Sequence, residues 1–158
     1  MNDIYATEIS AVVPCFNEEE CLEAAHLEIT AQLERFRDYE IVFVDDGSTD
    51  RTLEIVQSSA ASDPRVVYLS FTRNFGLEAA FTAGYRYARF PWIVQFDADL
   101  QSPPAELPAL MSRAVDGFDV VFAMRVQRQD PLWRRWGSLA QHWVAGRVFG
   151  IELAYRGS

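Results

Sequence analysis

The chain has 158 residues, 49% of them hydrophobic, and a formal net charge of −9. That length suits one domain with a sizeable buried core, and the composition excludes a disordered chain. The acidic balance argues against nucleic acid as a partner.

No apolar run reaches the roughly 18 residues of a bilayer-spanning helix, and the N-terminus lacks a basic-then-apolar leader, so the expected location is cytoplasmic. Cys15 and Cys21 are the two cysteines. They form no ligand cluster with His26 or His142, and inert thiols are expected. The charge is uneven. Residues 125–149 carry five arginines against Asp130 alone, so a basic segment sits on an acidic chain and points to an anionic partner, phosphate or lipid headgroup.

Ile9 to Phe16 is an apolar run without alternation, as in a strand buried on both faces. Asn17 followed by Glu18, Glu19 and Glu20 predicts a helix start, and Leu22, Ala25, Ile29, Leu33 and Phe36 give its apolar stripe. Tyr39–Val44 is the second strand, ending at Asp45-Asp46-Gly47-Ser48. Ser48 to Asp50 can cap a second helix, which Asp63-Pro64 breaks at about Ala61. Val66–Ser70 is the third strand. Leu77, Ala80, Phe81, Gly84 and Ala88 mark a third helix. Trp92 onward is the fourth strand, and Leu107, Leu110, Met111 and Ala114 mark a fourth helix ended by Gly117. Asp119–Met124 is the fifth strand. Alternating units of this length imply an α/β fold, a mostly parallel sheet with helices on both faces.

In such sheets ligands bind beyond the carboxyl ends of the strands, and the polar clusters fall there: Asn17-Glu18, Asp45-Asp46, Arg73-Asn74, Asp97-Ala98-Asp99 and Arg125. Asp97 and Asp99 offer hard oxygens suited to Mg²⁺ or Mn²⁺ carrying phosphates, and Gln101 can add a neutral oxygen. A pair of solvated loop acids is the plain alternative. Asp46 or Asp45 can accept from a nucleobase N–H, or cap the next helix with no ligand. No Gly-x-Gly-x-x-Gly or Walker loop is present, so a nucleotide here would be held by metal and arginines. Arg125 and Arg128 carry guanidinium forks suited to phosphate. From Pro131 onward, Trp133, Trp136 and Trp143 interleave with arginines, which fits an interfacial membrane helix and equally a core-packing helix of a longer protein.

Val13-Pro14-Cys15-Phe16-Asn17-Glu18, Asp45-Asp46-Gly47-Ser48-Thr49-Asp50, Arg73-Asn74-Phe75-Gly76 and Asp97-Ala98-Asp99-Leu100-Gln101, in this order, resemble inverting family-2 glycosyltransferases of GT-A fold. The nearer subgroup is the polyprenyl-phosphate hexose synthases. The resemblance covers nearly the whole chain, with residues 1–130 as a nucleotide-sugar-binding core and 131–158 as an acceptor-side or membrane-interfacial helix. It implies inverting transfer of a hexose from a UDP- or GDP-sugar to a polyprenyl phosphate, by a protein peripheral to the inner, cytoplasmic face of the membrane. It implies that Pro14, Phe16, Glu18, Val44, Asp45, Asp46, Arg73, Asp97 and Ala98 line the nucleotide-sugar. Asp97, Asp99 and Gln101 would hold Mg²⁺ or Mn²⁺, and Arg125 and Arg128, with Asp99, would form the catalytic set around the acceptor phosphate. Polyprenyl phosphate and a membrane surface are the implied partners, and a homo-oligomer is a further candidate. A phosphate acceptor is already ionised, so positioning matters more than a general base. Leu77 departs from the family, which usually has Lys after Asn-x-Gly.

Three other readings stand beside this one. The first is a family-2 enzyme acting on a glycan or lipid hydroxyl, in cell-envelope polysaccharide synthesis. The second is a fragment without activity. The third is a receiver-like signalling module, which needs an Asp at the end of the third strand and a later Lys. Here that strand ends in Leu69-Ser70, and the chain has no lysine.

Overall fold

The computed structural model describes residues 3–123 of the chain. Four strands, β1 (Glu8–Cys15), β2 (Asp38–Asp45), β3 (Val66–Ser70) and β4 (Trp92–Gln95), alternate with four helices, α1 (Leu22–Leu33), α2 (Thr52–Ser62), α3 (Leu77–Tyr87) and α4 (Leu107–Val115). Short 3-10 turns at Ile4–Ala6 and Pro104–Glu106 flank the set. The sheet has the order β3-β2-β1-β4, and all three pairings are parallel. Ile9 of β1 sits level with Tyr39 of β2 and with Trp92 of β4, which puts the carboxyl ends of the strands at one rim of the sheet.

The apolar runs of β1 and β2 are buried on both faces, as their lack of alternation predicts. Odd-numbered residues (Ile9, Ala11 and Val13 of β1; Ile41 and Phe43 of β2) face the larger core, which Leu22, Ile29 and Leu33 of α1, Val56 of α2 and Leu107 and Met111 of α4 complete. Even-numbered residues, Val12, Val42 and Val44, face Ala80 of α3. Helices therefore cover both faces. Each fully buried Leu or Ile contributes about 1.5–3 kcal/mol by removal from water, so the α1 stripe of Leu22, Ala25, Ile29 and Leu33 anchors its layer. On the other face α3 lies so close that a Cβ on Gly84 would fall 2.3 Å from Val12 Cγ1.

Two expectations are corrected. Asn17 does not open a helix: it has φ 56°, and α1 begins at Leu22. The backbone and side chains of residues 17–19 are bonded instead to the loop after β2, which competes with helical capping. The fifth strand is not formed over residues 119–123, its described part. Phe118, Val120 and Phe122 alternate as a strand would, but all three are exposed. A strand exists only with a partner ladder, and among the described residues none pairs with this segment. Met124, Arg125, Arg128 and the Trp/Arg-rich stretch of 131–158 lie outside the described residues.

Candidate active site

A cleft of about 370 Å³ opens at the carboxyl rim of the sheet, within the size range of small-ligand sites. Pro14, Phe16 and Glu18 line it from the end of β1, and Asp46 from the end of β2. Asn74, Gly76 and Leu77 contribute from the β3–α3 connection, and Asp97, Ala98, Asp99 and Gln101 from beyond β4.

The acidic pair is presented by burial. Phe96 and Ala98 are 5% and 4% exposed and belong to the larger core. The residues between and after them, Asp97 and Asp99, are exposed and reach the same cleft. A turn closes behind them: Leu100 N donates to the Asp97 carbonyl at 3.0 Å, and Leu100 has φ 54°. A bulky residue in the left-handed region is uncommon and carries strain, here offset by packing of Leu100 on the core. The Asp99 carboxylate accepts from Gln101 Nε2 at 2.6 Å and from Gln101 N at 3.2 Å, and no described residue donates to the Asp97 carboxylate.

The Asp45-Asp46 pair is engaged by the chain itself. Asp45 is buried and accepts from Ser48 N at 3.1 Å and Ser70 Oγ at 2.9 Å. Asp46 accepts from Phe75 N at 2.7 Å and Gly76 N at 2.9 Å, tying down the segment that enters α3. Neither carboxylate caps the next helix, α2, as one of the two sequence readings expected: Asp46 bonds the entry to α3, and Asp45 bonds the β2–α2 loop and Ser70. Asp46 still lines the cleft.

The loop after β1 is braced against the loop after β2. Asn17 Oδ1 accepts from Thr49 N at 2.8 Å, Glu18 N donates to Thr52 Oγ1 at 2.8 Å, and Arg51 N donates to Glu19 Oε2 at 3.0 Å. Asp50 accepts from Glu19 N and Thr52 N. This mutual satisfaction of backbone donors holds Phe16 and Glu18 at the rim. Glu18 also accepts from the Cys21 thiol at 3.1 Å. Burial, then that bond and the negative charge of Glu18, push the Cys21 pKa up to about 11. Burial and the surrounding carboxylates push the Cys15 thiol well above its ordinary range. Both thiols are inert under ordinary conditions.

Four carboxylates, Glu18, Asp46, Asp97 and Asp99, line the cleft, and no described lining residue is cationic. Among the described residues no three His, Cys, Asp or Glu side chains form a metal-holding group. Asp97, Asp99 and the amide oxygen of Gln101 are hard donors that leave several coordination positions open, which fits a divalent ion shared with phosphate oxygens.

Of the residues expected from sequence, the structure brings Pro14, Phe16, Glu18, Asp46, Asp97, Ala98, Asp99 and Gln101 together at the cleft. Three are not brought there. Val44 is fully buried against α3. Asp45 is 1% exposed. Arg73 stacks its guanidinium over the Phe75 ring, 4.6 Å from the centroid. Sequence reasoning gave Asn74 no role of its own and did not see Gly76 and Ala80 as cleft walls; the Asn-x-Gly after β3 was the signal available.

The family profile described as Glycosyl transferase family 2 matches residues 10–154. An undecaprenyl-phosphate 4-deoxy-4-formamido-L-arabinose transferase of Pseudomonas aeruginosa is 43% identical over 147 residues, 92% of this chain and 43% of that protein. A protein of the same name from Aeromonas hydrophila is 35% identical over 98% of this chain and 48% of its own length. The chain thus spans less than half the length of these relatives. Among solved structures, a mannosyltransferase from Pyrobaculum calidifontis in complex with GDP-Man and Mn²⁺ aligns with a TM-score of 0.53 at 28% identity, over 60% of this chain and 28% of that one. Glucosyl-3-phosphoglycerate synthase of Mycobacterium tuberculosis aligns with a TM-score of 0.61 at 21% identity, over 91% of this chain and 52% of that one, a likeness of fold. With its parallel sheet, two-sided helix cover and acidic strand-end cleft, the fold is of GT-A type, and the chain belongs to glycosyl transferase family 2.

Proposed function

We propose that the protein transfers a sugar from a nucleoside diphosphate to a polyprenyl phosphate, and that the cleft holds the donor with its diphosphate at Asp97, Asp99 and Gln101. One observation carries this reading. Four carboxylates meet in a cleft whose described lining has no cation, and a divalent ion held there would offset their charge toward an anionic donor. That ion, Mg²⁺ or Mn²⁺, would neutralise charge developing on the leaving diphosphate. The mannosyltransferase neighbour, solved with GDP-Man and Mn²⁺, supports the same chemistry.

The chain's own contribution is positioning. Phe96 and Ala98 anchor Asp97 and Asp99 toward the cleft, and the braced loops after β1 and β2 hold Phe16 and Glu18 against the nucleotide. The acceptor phosphate is ionised at neutral pH, so its attack with inversion requires alignment rather than proton removal. Arg125 and Arg128, outside the described residues, are proposed to bind that phosphate. The names of the relatives specify a formamido-arabinose, which favours a pentose derivative over the hexose expected from sequence. Those names also support an undecaprenyl phosphate acceptor and hence work at a membrane surface, to which the Trp/Arg segment of 131–149 would bind. Among the described residues, no helix is long and apolar enough to cross a membrane.

The test is calorimetric binding of UDP and GDP with and without Mn²⁺, on this chain and on Asp97→Ala and Asp99→Ala. Binding that requires Mn²⁺ and is lost in both variants is expected. Metal-independent binding that survives both substitutions would overturn the assignment. The acceptor is tested by sugar transfer with the full-length protein, comparing undecaprenyl phosphate with a hydroxyl-terminated glycolipid. Transfer to the hydroxyl alone would reject the phosphate acceptor.

A further inference from the structure

The strand that delivers Asp97 and Asp99 is held weakly by its own side chains. β4 has four residues and, among the described residues, one neighbour, β1. Trp92 and Val94 pack half-buried on the larger core, while Ile93 is 43% exposed. A one-residue slip along β1 would turn every side chain to the wrong face. A two-residue slip, roughly 6.6 Å, would preserve the alternation through Ala98 and put one carboxylate in the other's place. Packing opposes that slip through side-chain size alone, Trp92 against Val94 and Phe96 against Ala98.

The residues just before β4 are bonded to partners that have no such period. Ser10 of β1 and Glu40 of β2 are level with each other in the sheet and fully buried. Ser10 Oγ donates to Glu40 Oε1 at 2.6 Å and accepts from Phe90 N at 3.1 Å. Glu40 also accepts from Arg89 N at 2.6 Å and from Arg89 Nε at 2.7 Å. Two backbone N–H groups and one guanidinium of the α3–β4 connection therefore converge on one hydroxyl–carboxylate pair. Moving β4 by two residues would break all three bonds and leave the buried Glu40 carboxylate unpaired, the costly case for an interior charge. A buried polar group that fixes register is the best-attested use of such an arrangement. Neither Ser10 nor Glu40 lines the cleft.

We infer that Ser10 and Glu40 are positioning residues for the metal-binding acids: by holding Arg89 and Phe90 they fix the register of β4 on β1, and so set where Asp97 and Asp99 stand at the rim of the cleft. This rests on the donor-binding reading above, in which those carboxylates share a divalent ion with the diphosphate. Groups that support metal ligands from behind change metal affinity by about tenfold or more when removed.

The experiment is calorimetric titration of Mn²⁺ into the 158-residue chain in the presence of UDP or GDP, whichever binds better. The variants are Ser10→Ala and Glu40→Gln, each checked for folding by circular dichroism. Val56→Ala is the control, because Val56 of α2 is buried in the larger core and belongs to neither the cleft nor the Ser10–Glu40 pair. Mn²⁺ affinity is expected to fall about tenfold in Ser10→Ala and Glu40→Gln and to stay unchanged in Val56→Ala. Unchanged affinity in Ser10→Ala would overturn the inference. So would an equal loss in Val56→Ala, which would reduce the pair to general stability. Should Glu40→Gln fail to fold, Ser10→Ala decides by itself. The register is read separately, without metal or nucleotide, by amide hydrogen exchange at Phe96, whose N–H donates to Val12 O at 3.1 Å. Faster exchange there in Ser10→Ala than in Val56→Ala is expected, and equal exchange would remove Ser10 from the positioning role. If the unsubstituted chain takes up no Mn²⁺ with either nucleotide, the donor-binding reading fails and the inference falls with it. Uptake by the unsubstituted chain that Ser10→Ala leaves intact sinks the inference alone.

Discussion

The fully buried carboxylate of Glu40 receives both the backbone N–H of Arg89, at 2.6 Å, and its guanidinium Nε, at 2.7 Å. Ser10 Oγ donates to the same carboxylate at 2.6 Å and accepts from Phe90 N at 3.1 Å. The two central strands thereby latch the α3–β4 connection from beneath the sheet. β4 is four residues long and pairs only with β1 among the described residues, so the latch helps set where β4 begins and where Asp97 and Asp99 emerge. Glu40→Ala leaves the buried Ser10 hydroxyl proton and the Arg89 N–H without a partner and is expected to destabilise the chain by roughly 2–4 kcal/mol. Urea denaturation measures it. Arg89→Ala leaves the Glu40 carboxylate, 0% exposed, without its ionic partner and is expected to destabilise by at least a similar amount; an unchanged stability would contradict this account of the latch.

The contact between Gly84 and Val12 makes a second prediction. With 2.3 Å between an added Cβ and Val12 Cγ1, and 3.3 Å to Val44 Cγ2, α3 must move off the sheet to admit any side chain. Gly84→Ala should lower stability by about 1–3 kcal/mol through overpacking, despite the better helix propensity of alanine. A rise in the thermal midpoint would show that α3 lies farther from β1 than this.

Leu77 opens α3 and lines the cleft while 56% exposed. The described lining supplies no positive charge there, so a lysine at this position would add the missing sign of charge. Leu77→Lys is expected to strengthen metal-free binding of UDP or GDP by several-fold, with a steeper loss in high salt. Titrations with EDTA present, at low and high ionic strength, decide it. Unchanged metal-free affinity would mean that Leu77 does not face the phosphates.

Cys21 gives a pH prediction. A pKa pushed up to about 11 by burial and by Glu18 means less thiolate at any given pH. Its alkylation rate by iodoacetamide should therefore keep rising about tenfold per pH unit past the ordinary thiol range near 8.5. Glu18→Gln removes the nearby negative charge and should bring the midpoint down. A plateau near pH 8.5 in the unsubstituted chain would show that the thiol does not bond Glu18.

Much of the architecture is legible in the residues because burial periodicity is local. The unbroken apolar runs of β1 and β2 specify strands buried on both sides, and Leu22, Ala25, Ile29 and Leu33 specify one helix face with no knowledge of the rest. At Phe96-Asp97-Ala98-Asp99 alternation alone leaves the outcome open, because a turn can splay the two carboxylates; β4 ends at Gln95, a turn follows, and both carboxylates still reach the cleft. Asn17 and residues 119–123 resisted because each state depends on a distant partner: a loop some thirty residues away for Asn17, and an adjacent strand for 119–123.

What the sequence by itself determined was the order of strands and helices and the arrival of acidic residues at the strand ends. Only the tertiary structure decided which of those acids remain available. Asp45, Asp46 and Asp97 look alike in sequence. Folded, Asp45 is sealed under Ser48 and Ser70, Asp46 is bonded to the backbone of Phe75 and Gly76, and Asp97 is left open to the cleft. The physical reason is that hydrogen-bond partners 25 to 30 residues away are assigned by packing, whereas the direction of a side chain along a strand is assigned by its neighbours in the chain.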